Sequence, residues 1–239
     1  MKKTDFIIKP NDEDLLRTME ITGSIKSVER MKKNKKFRVD YEAAKKELVE
    51  SAAPVLCWNR FPIKEIVGNQ VVLKNGAKIG RGPVAKVVAG AQELILGVCT
   101  IGMKTERKSE EYMKGAAMMK GFILDALASW AVDSVRAQFY EWIKKEFFKK
   151  EGLRTSSMLW PGNSWPIEEQ AEIFKILGNE TGEIGVSLTA SMMMAPKKSL
   201  SFLLGAGKNP LGSEDSLQCE FCPDRPGCKA YKIRMNRHL

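Results

Sequence analysis

A chain of 239 residues, 44% of them hydrophobic, can bury roughly 70% of its extended surface, which excludes a disulfide-held miniature. Its 39 Lys and Arg against 29 Asp and Glu give a formal net charge of +10, while one histidine and five cysteines argue against histidine-based hydrolysis and against a secreted framework. No run reaches the roughly 18–20 apolar residues of a membrane span and residues 1–10 lack a signal-peptide core, so a cytoplasmic protein is expected; its charge is spread over helical surfaces, and neither nucleic acid nor membrane is the expected partner.

In chain order, Leu15, Leu16, Met19, Ile21, Ile25 and Val28, broken at Gly23, predict a short helix, a turn and a second helical start. Residues 30–38 read as a solvated basic connector. Tyr41, Ala44, Leu48 and Val49 predict a helix over 40–52, capped by Asp40 and ended by Pro54. VLCW and FPIKEIVGNQVVL then read as separate strands, with Asn75–Gly76 as a hairpin turn. Cys57, inside an apolar run, reads as a plain buried thiol. GRGPVAKVV lacks the pattern of a phosphate loop and reads as a turn into a helix at Pro83.

ELILGVCTI, residues 93–101, is apolar almost throughout and predicts a central strand that must be covered on both faces. The expected cover is a long helix or helix pair from Ser109 to Lys149, where Leu124, Leu127, Ala131, Val135 and Phe139 recur at helical spacing, with a break near Met119–Gly121. Asp125 and Asp133 lie eight positions apart and share a face. Surface exposure is the plain expectation for both; facing the 154–164 loop, either carboxylate would instead receive an ammonium or another cation.

Residues 154–204 gather the strongest local signals. Arg154 opens a turn-rich stretch of Ser156, Ser157, Pro161, Gly162, Asn163 and Ser164 that holds Trp160 and Trp165, which suggests a loop pinned by burial. Pro166 then opens a helix with Ile167, Ile173, Phe174, Ile176 and Leu177 on one period, acidic residues near its start and Gly178 as its stop. Ile184, Val186 and Leu188 in IGVSLTASMMMAP predict a strand, a turn at Pro196 and SFLL as the returning strand. Core packing is the default for Met192, Met193 and Met194, with contact to a large flat cofactor or another protein as the alternative.

Near the end, CEFCPDRPGC places Cys219, Cys222 and Cys228 in a CxxC-x5-C arrangement, and Pro223, Pro226 and Gly227 preclude an ordinary helix through it. Three thiolates with an open fourth position suit an iron–sulfur cluster or zinc, with His238 as a candidate fourth zinc ligand. Reduced structural cysteines or a redox dithiol are the alternatives.

LLRTMEITG, ELILGVCTIG, GFILDALASWAVD, PGNSWPIEEQAEIFKILG and IGVSLTASMMMAPKKSLSF, in that order and spacing over residues 12–238, resemble the reactivation domain of vitamin B12-dependent methionine synthase, in the stand-alone form associated with corrinoid methyltransferases. That resemblance implies an α+β fold, a twisted antiparallel sheet with surrounding helices, over residues 1–210, with a cysteine-containing tail packed on it from 211 to 239. It implies reductive reactivation of a corrinoid (cobalamin) protein or methyltransferase, with S-adenosylmethionine as methyl donor or an iron–sulfur cluster as electron route. Cobalamin would be presented by the partner, with flavodoxin or ferredoxin as candidate reductants. Arg154 would hold the ligand's carboxylate, Asp133 its ammonium, and Pro161, Gly162, Asn163 and Trp165 would form the binding loop. The loop tyrosine of the family is replaced near Asn163 and the Arg154–Pro161 spacing is longer; a noncatalytic corrinoid-protein-binding module or chaperone without the methyl-donor site is the alternative.

Overall fold

The apolar run at 93–100 occupies the middle because it finds partners on both edges and both faces. In this computed structural model, which describes residues 1–21, 23, 33–162, 164–214, 218–228 and 231–232, strand β5 (Glu93–Thr100) pairs antiparallel with β2 (Val55–Val67) on one side and β9 (Ser199–Gly207) on the other. Beyond β2 lie β3 (Gln70–Leu73) and β4 (Lys78–Gly80), and beyond β9 lies β6 (Arg154–Thr155). A short β1 (Lys2–Lys3) also pairs with β2, while β7 (Ser187–Leu188) and β8 (Met194–Ala195) form a separate hairpin. Every strand pairing among the described residues is antiparallel.

Alternation along β5 splits the core into two. Ile95 and Cys99 join one apolar cluster, Leu94, Leu96 and Val98 the other, as side-chain period two requires. The first cluster is covered by helices α1 (Asp12–Ile21), α2 (Lys35–Ser51) and α5 (Met118–Trp142). The second is covered by α3 (Val84–Val87) and α6 (Glu169–Leu177), with Trp165, Ile184 and Val186. Two further α-helices, α4 (Met103–Lys114) and α7 (Glu180–Glu183), complete the α-helices among the described residues. In the first layer Trp58 of β2 meets Phe139, Trp142 and Phe147 at ring-centroid distances of 5.5, 5.9 and 5.3 Å. Phe202 lies across its cross-strand partner Gly97, where a Cβ would come within 2.3 Å of the ring, and then reaches Phe139 at 5.3 Å.

Several expected boundaries move, each for a local reason. Helix α2 begins inside the basic connector, because the Asn34 side chain accepts from Phe37 N and Phe37 is buried; Asp40 is an interior residue, not the cap. The helix pair breaks at Gly115–Ala117 rather than at Met119–Gly121. Gly121 stays helical and serves packing instead: a Cβ there would lie 2.7 Å from Met113 N and 2.8 Å from Ser109 O on α4. The pieces read as separate strands at 55–67 are one strand with a register shift between Ile63 and Glu65. The 184–196 run is mostly turn, with β7 and β8 of two residues each, and β9 returns to β5 rather than to it. The second helical start, within 24–30, lies outside the described residues.

Burial pushes the Cys57 thiol from its ordinary 9.0 up to about 11 and that of Cys99 up to about 12. Between those values and 9 the folded chain retains protons that the unfolded chain has lost, so stability falls as pH rises through that window. Urea midpoints measured across the window should therefore decline, and Cys99→Ala should give a shallower decline than wild type.

Candidate functional site

The loop after β6 is fixed to the sheet before it reaches solvent. Leu159 and Leu203 exchange backbone hydrogen bonds at 2.9 and 2.8 Å, and Ser156 N donates to Gly205 O at 2.9 Å while its Oγ accepts from Gly205 N at 2.8 Å. Trp165, fully buried, donates from Nε1 to Gly80 O at 2.8 Å. Gly162 and Trp165 pair with each other across the bend, at 2.7 and 3.2 Å. The far side is held by Gln218, whose Oε1 accepts from Trp160 N at 2.8 Å and whose Nε2 donates to Trp160 O at 2.7 Å and Ser164 Oγ at 2.8 Å. Trp160 and Pro161 are thereby presented at the rim of a depression.

That depression, about 180 Å³, has Trp160 and Pro161 on one wall, Ile167 and Gln170 of α6 behind, the Met192–Met194 turn opposite, and the start of β9 as its floor. Gln170 ties the walls together: its Nε2 donates to Met192 O at 2.8 Å and its Oε1 accepts from Ser201 Oγ at 3.2 Å. Met192 sits at φ 62, a region a side chain of its size rarely adopts, and the Gln170 bond joins the bonds between Thr189 and Met192–Met193 that hold the turn. A second depression of about 300 Å³, lined by Trp130 and Asp133 of α5 among others, adjoins it through Lys197, Ser199 and Leu200.

The cations around this double groove are not equally committed. Lys197 Nζ lies 2.7 Å from Glu110 and 3.5 Å from Glu106, and the hydrogen bond it donates to Glu110, followed by the Glu106 charge, raises its pKa. Lys198 Nζ lies 2.9 Å from Asp125 and donates to Ser129 Oγ at 3.0 Å. Arg136 places its guanidinium 4.4 Å from the Trp160 ring centroid and its Nε and Nη2 each 2.9 Å from the same oxygen, Oδ1, of Asp133.

The expected site residues therefore divide. Asp133 and Pro161 line the two halves of the groove. Gly162 shapes the bend, and Trp165 is core rather than ligand-facing, because its indole N–H is needed at Gly80 O. Asn163 lies outside the described residues. Arg154 lines a different depression, with Lys86 and Phe221, and its fork grips Glu214 at 2.7–3.1 Å; that bond raises the pKa of Arg154 and lowers that of Glu214. Arg154 and Asp133 thus line different depressions, and the guanidinium that meets Asp133 is that of Arg136, three residues further along α5. Met192, Met193 and Met194 line the groove; Met194 also packs against the second core cluster, as the default reading expects, while Met193 is 55% exposed. Gln170 and Gln218 carried no sequence signal of their own.

Cys219 starts a 3-10 turn with Gln218 and Cys222 N donates to Cys219 O at 3.2 Å, while Cys228 Sγ accepts from Tyr231 N at 3.4 Å. Among the described residues no three His, Cys, Asp or Glu side chains are grouped to hold a metal, which leaves the expected iron–sulfur or zinc site without support; His238 lies outside the described residues. No disulfide joins any of the five cysteines. Among the described residues no helix is long and apolar enough to cross a membrane.

No family model matches the chain, and no curated protein matches it in sequence. Among solved structures it is similar to the MetH reactivation domain bound to AdoHcy, with a TM-score of 0.61 and 13% sequence identity, over 98% of this chain and 87% of that one. At that identity the likeness is one of fold: this chain has the α+β architecture of the MetH reactivation domain.

Proposed function

We propose that this chain reactivates a corrinoid protein, holding S-adenosylmethionine in the double groove while the partner presents its cobalamin. The observation that carries this is the groove itself, an aromatic and thioether-lined cleft with the Asp133 carboxylate on its wall, on a fold shared with a domain that was crystallised with AdoHcy. In this reading the corrinoid is a substrate carried by another protein: an external donor of the flavodoxin or ferredoxin class supplies one electron to cob(II)alamin, and methyl transfer from S-adenosylmethionine, with S-adenosylhomocysteine leaving, traps the product. Trp160, Pro161 and the methionine turn offer flat apolar contact, and Gln170 keeps the turn in place. Residues 1–210 would form the working domain, and the segment after them would brace Trp160 through Gln218.

The test mixes the purified chain with a cob(II)alamin-loaded corrinoid protein, a one-electron reductant and S-adenosylmethionine, and follows methylcob(III)alamin by absorbance. A rate above that of the mixture without the chain supports the proposal; equal rates together with no co-elution of the two proteins would refute it. Co-elution without any saturable S-adenosylmethionine binding would leave a noncatalytic corrinoid-binding module in its place. Arg154→Ala is expected to change S-adenosylmethionine affinity by less than about twofold in calorimetry, since its exposed pair with Glu214 is screened by solvent and lies outside the groove.

A further inference from the structure

We propose that Cys219 and Cys222 form a reversible dithiol–disulfide site, and that closing it tightens the brace which Gln218 places on Trp160. The two thiols stand at the ends of one tight turn. Gln218–Phe221 is a 3-10 turn, and Cys222 N donates to Cys219 O at 3.2 Å, which continues the same three-residue spacing one place further. In that geometry residues three apart sit one above the other, with Cα atoms about 6 Å apart, inside the roughly 4.4–6.8 Å that a disulfide spans. Neither sulfur has to cross the fold to reach the other.

Access sorts the five cysteines. Cys57 and Cys99 are buried, with their thiols pushed up by that burial, so they stay protonated and shielded from exchange. Cys219 and Cys222 are reduced and partly exposed. Cys228 is partly exposed as well, but two further turns, Cys222–Arg225 and Arg225–Cys228, separate it from Cys222, and its Sγ accepts from Tyr231 N at 3.4 Å. Among the described residues no three ligand-type side chains are grouped, so the chemistry that position offers here is that of a pair.

The other line of the same turn is anchored to the fold. Gln218 is buried and holds both backbone groups of Trp160 together with Ser164 Oγ, and Phe221 packs against the second core cluster. Residues 218 and 221 grip the protein, while 219 and 222 remain within reach of solvent. A bond between the second pair closes the turn behind the first and removes the open conformations in which Gln218 lets go of Trp160. Exchange with a small-molecule disulfide makes that bond. One thiolate attacks oxidised glutathione and releases one glutathione thiol; the second then displaces the glutathione still attached, forming the Cys219–Cys222 bond. The pair gives up two electrons and two protons, which leave on two molecules of reduced glutathione.

The test equilibrates the full chain, stripped of metal with a chelator, in glutathione buffers from fully reduced to fully oxidised, then traps thiols with N-ethylmaleimide in urea. The trapped count should fall from five to three in one step, and cleavage after Glu220 should leave the two products joined until they are reduced. Cys219→Ser and Cys222→Ser should each abolish this two-thiol step, and Cys228→Ser should leave it in place. A stable mixed disulfide with glutathione, a link to Cys228, a link between two chains or an unchanged count of five would each overturn the site. The effect on the brace is read from acrylamide quenching of Trp160, taken as the difference between wild type and Trp160→Phe. Quenching should fall on oxidation, and with Gln218→Ala it should not change although the disulfide still forms. A change of the same size without Gln218, or none with it, would overturn the brace. None of these readouts needs a ligand or a corrinoid, so either outcome leaves corrinoid reactivation to its own test.

Discussion

Trp165→Ala should lower the stability of the folded chain by about 3–5 kcal/mol, the range for truncating a large buried aromatic. The side chain is fully buried in the apolar layer with Ile173 and Leu177, and its N–H satisfies Gly80 O. Gly80 depends on its neighbours at both ends, because its N–H is held by Glu169 Oε2 at 3.0 Å. A Cβ at that position would lie 2.2 Å from Asn69 O, so β4 can close on β3 here with glycine alone. Trp165→Phe separates the two contributions: it keeps most of the apolar contact and should cost about 1–3 kcal/mol for the orphaned carbonyl. Urea denaturation of the three chains measures both. If alanine and phenylalanine prove equally mild, the loop is not pinned from this side.

Gln218→Ala should cost about 2–3 kcal/mol, since it leaves the Trp160 N–H and C=O without their partner in a side chain now 7% exposed. It should also weaken ligand binding in the groove, because Trp160 would lose one of its two fixings and Arg136 would stack on a moving ring. Gln218→Glu keeps the acceptor for Trp160 N and removes both Nε2 donations, so it should fall between wild type and alanine. Urea midpoints and S-adenosylhomocysteine affinities check the pair of effects. Unchanged affinity in Gln218→Ala would show that Trp160 is held by Leu159 and Pro161 without this brace.

Much of the scaffold was legible because it rests on periodicity. The run at 93–101 could be placed at the centre, Gly178 marked a helix end, and Asn75–Gly76 marked the turn between β3 and β4, since each is decided by residues close in sequence. Gly121 was misread because a glycine that weakens a helix and a glycine that lets two helices touch look alike until the neighbour is known. The start of α2 was missed for a related reason: the lysines around Phe37 hid a single buried anchor and its Asn34 cap. At the groove, Asp133 and the Trp160–Pro161 loop had been singled out as residue types, and the fold places both on its walls. The place of Arg154 was not legible, because it depends on Glu214, sixty positions away, closing on it outside the groove.

The sheet ends in strands of three residues at β4 and two at β6. Borders so brief offer few open amide and carbonyl groups to a passing chain, which guards against fibre-like association between copies. They also deprive a visiting protein of a template for adding its own strand. A partner meeting these two borders would therefore read side chains and loop shape, and its recognition could be altered one residue at a time without disturbing the hydrogen-bond ladder beneath.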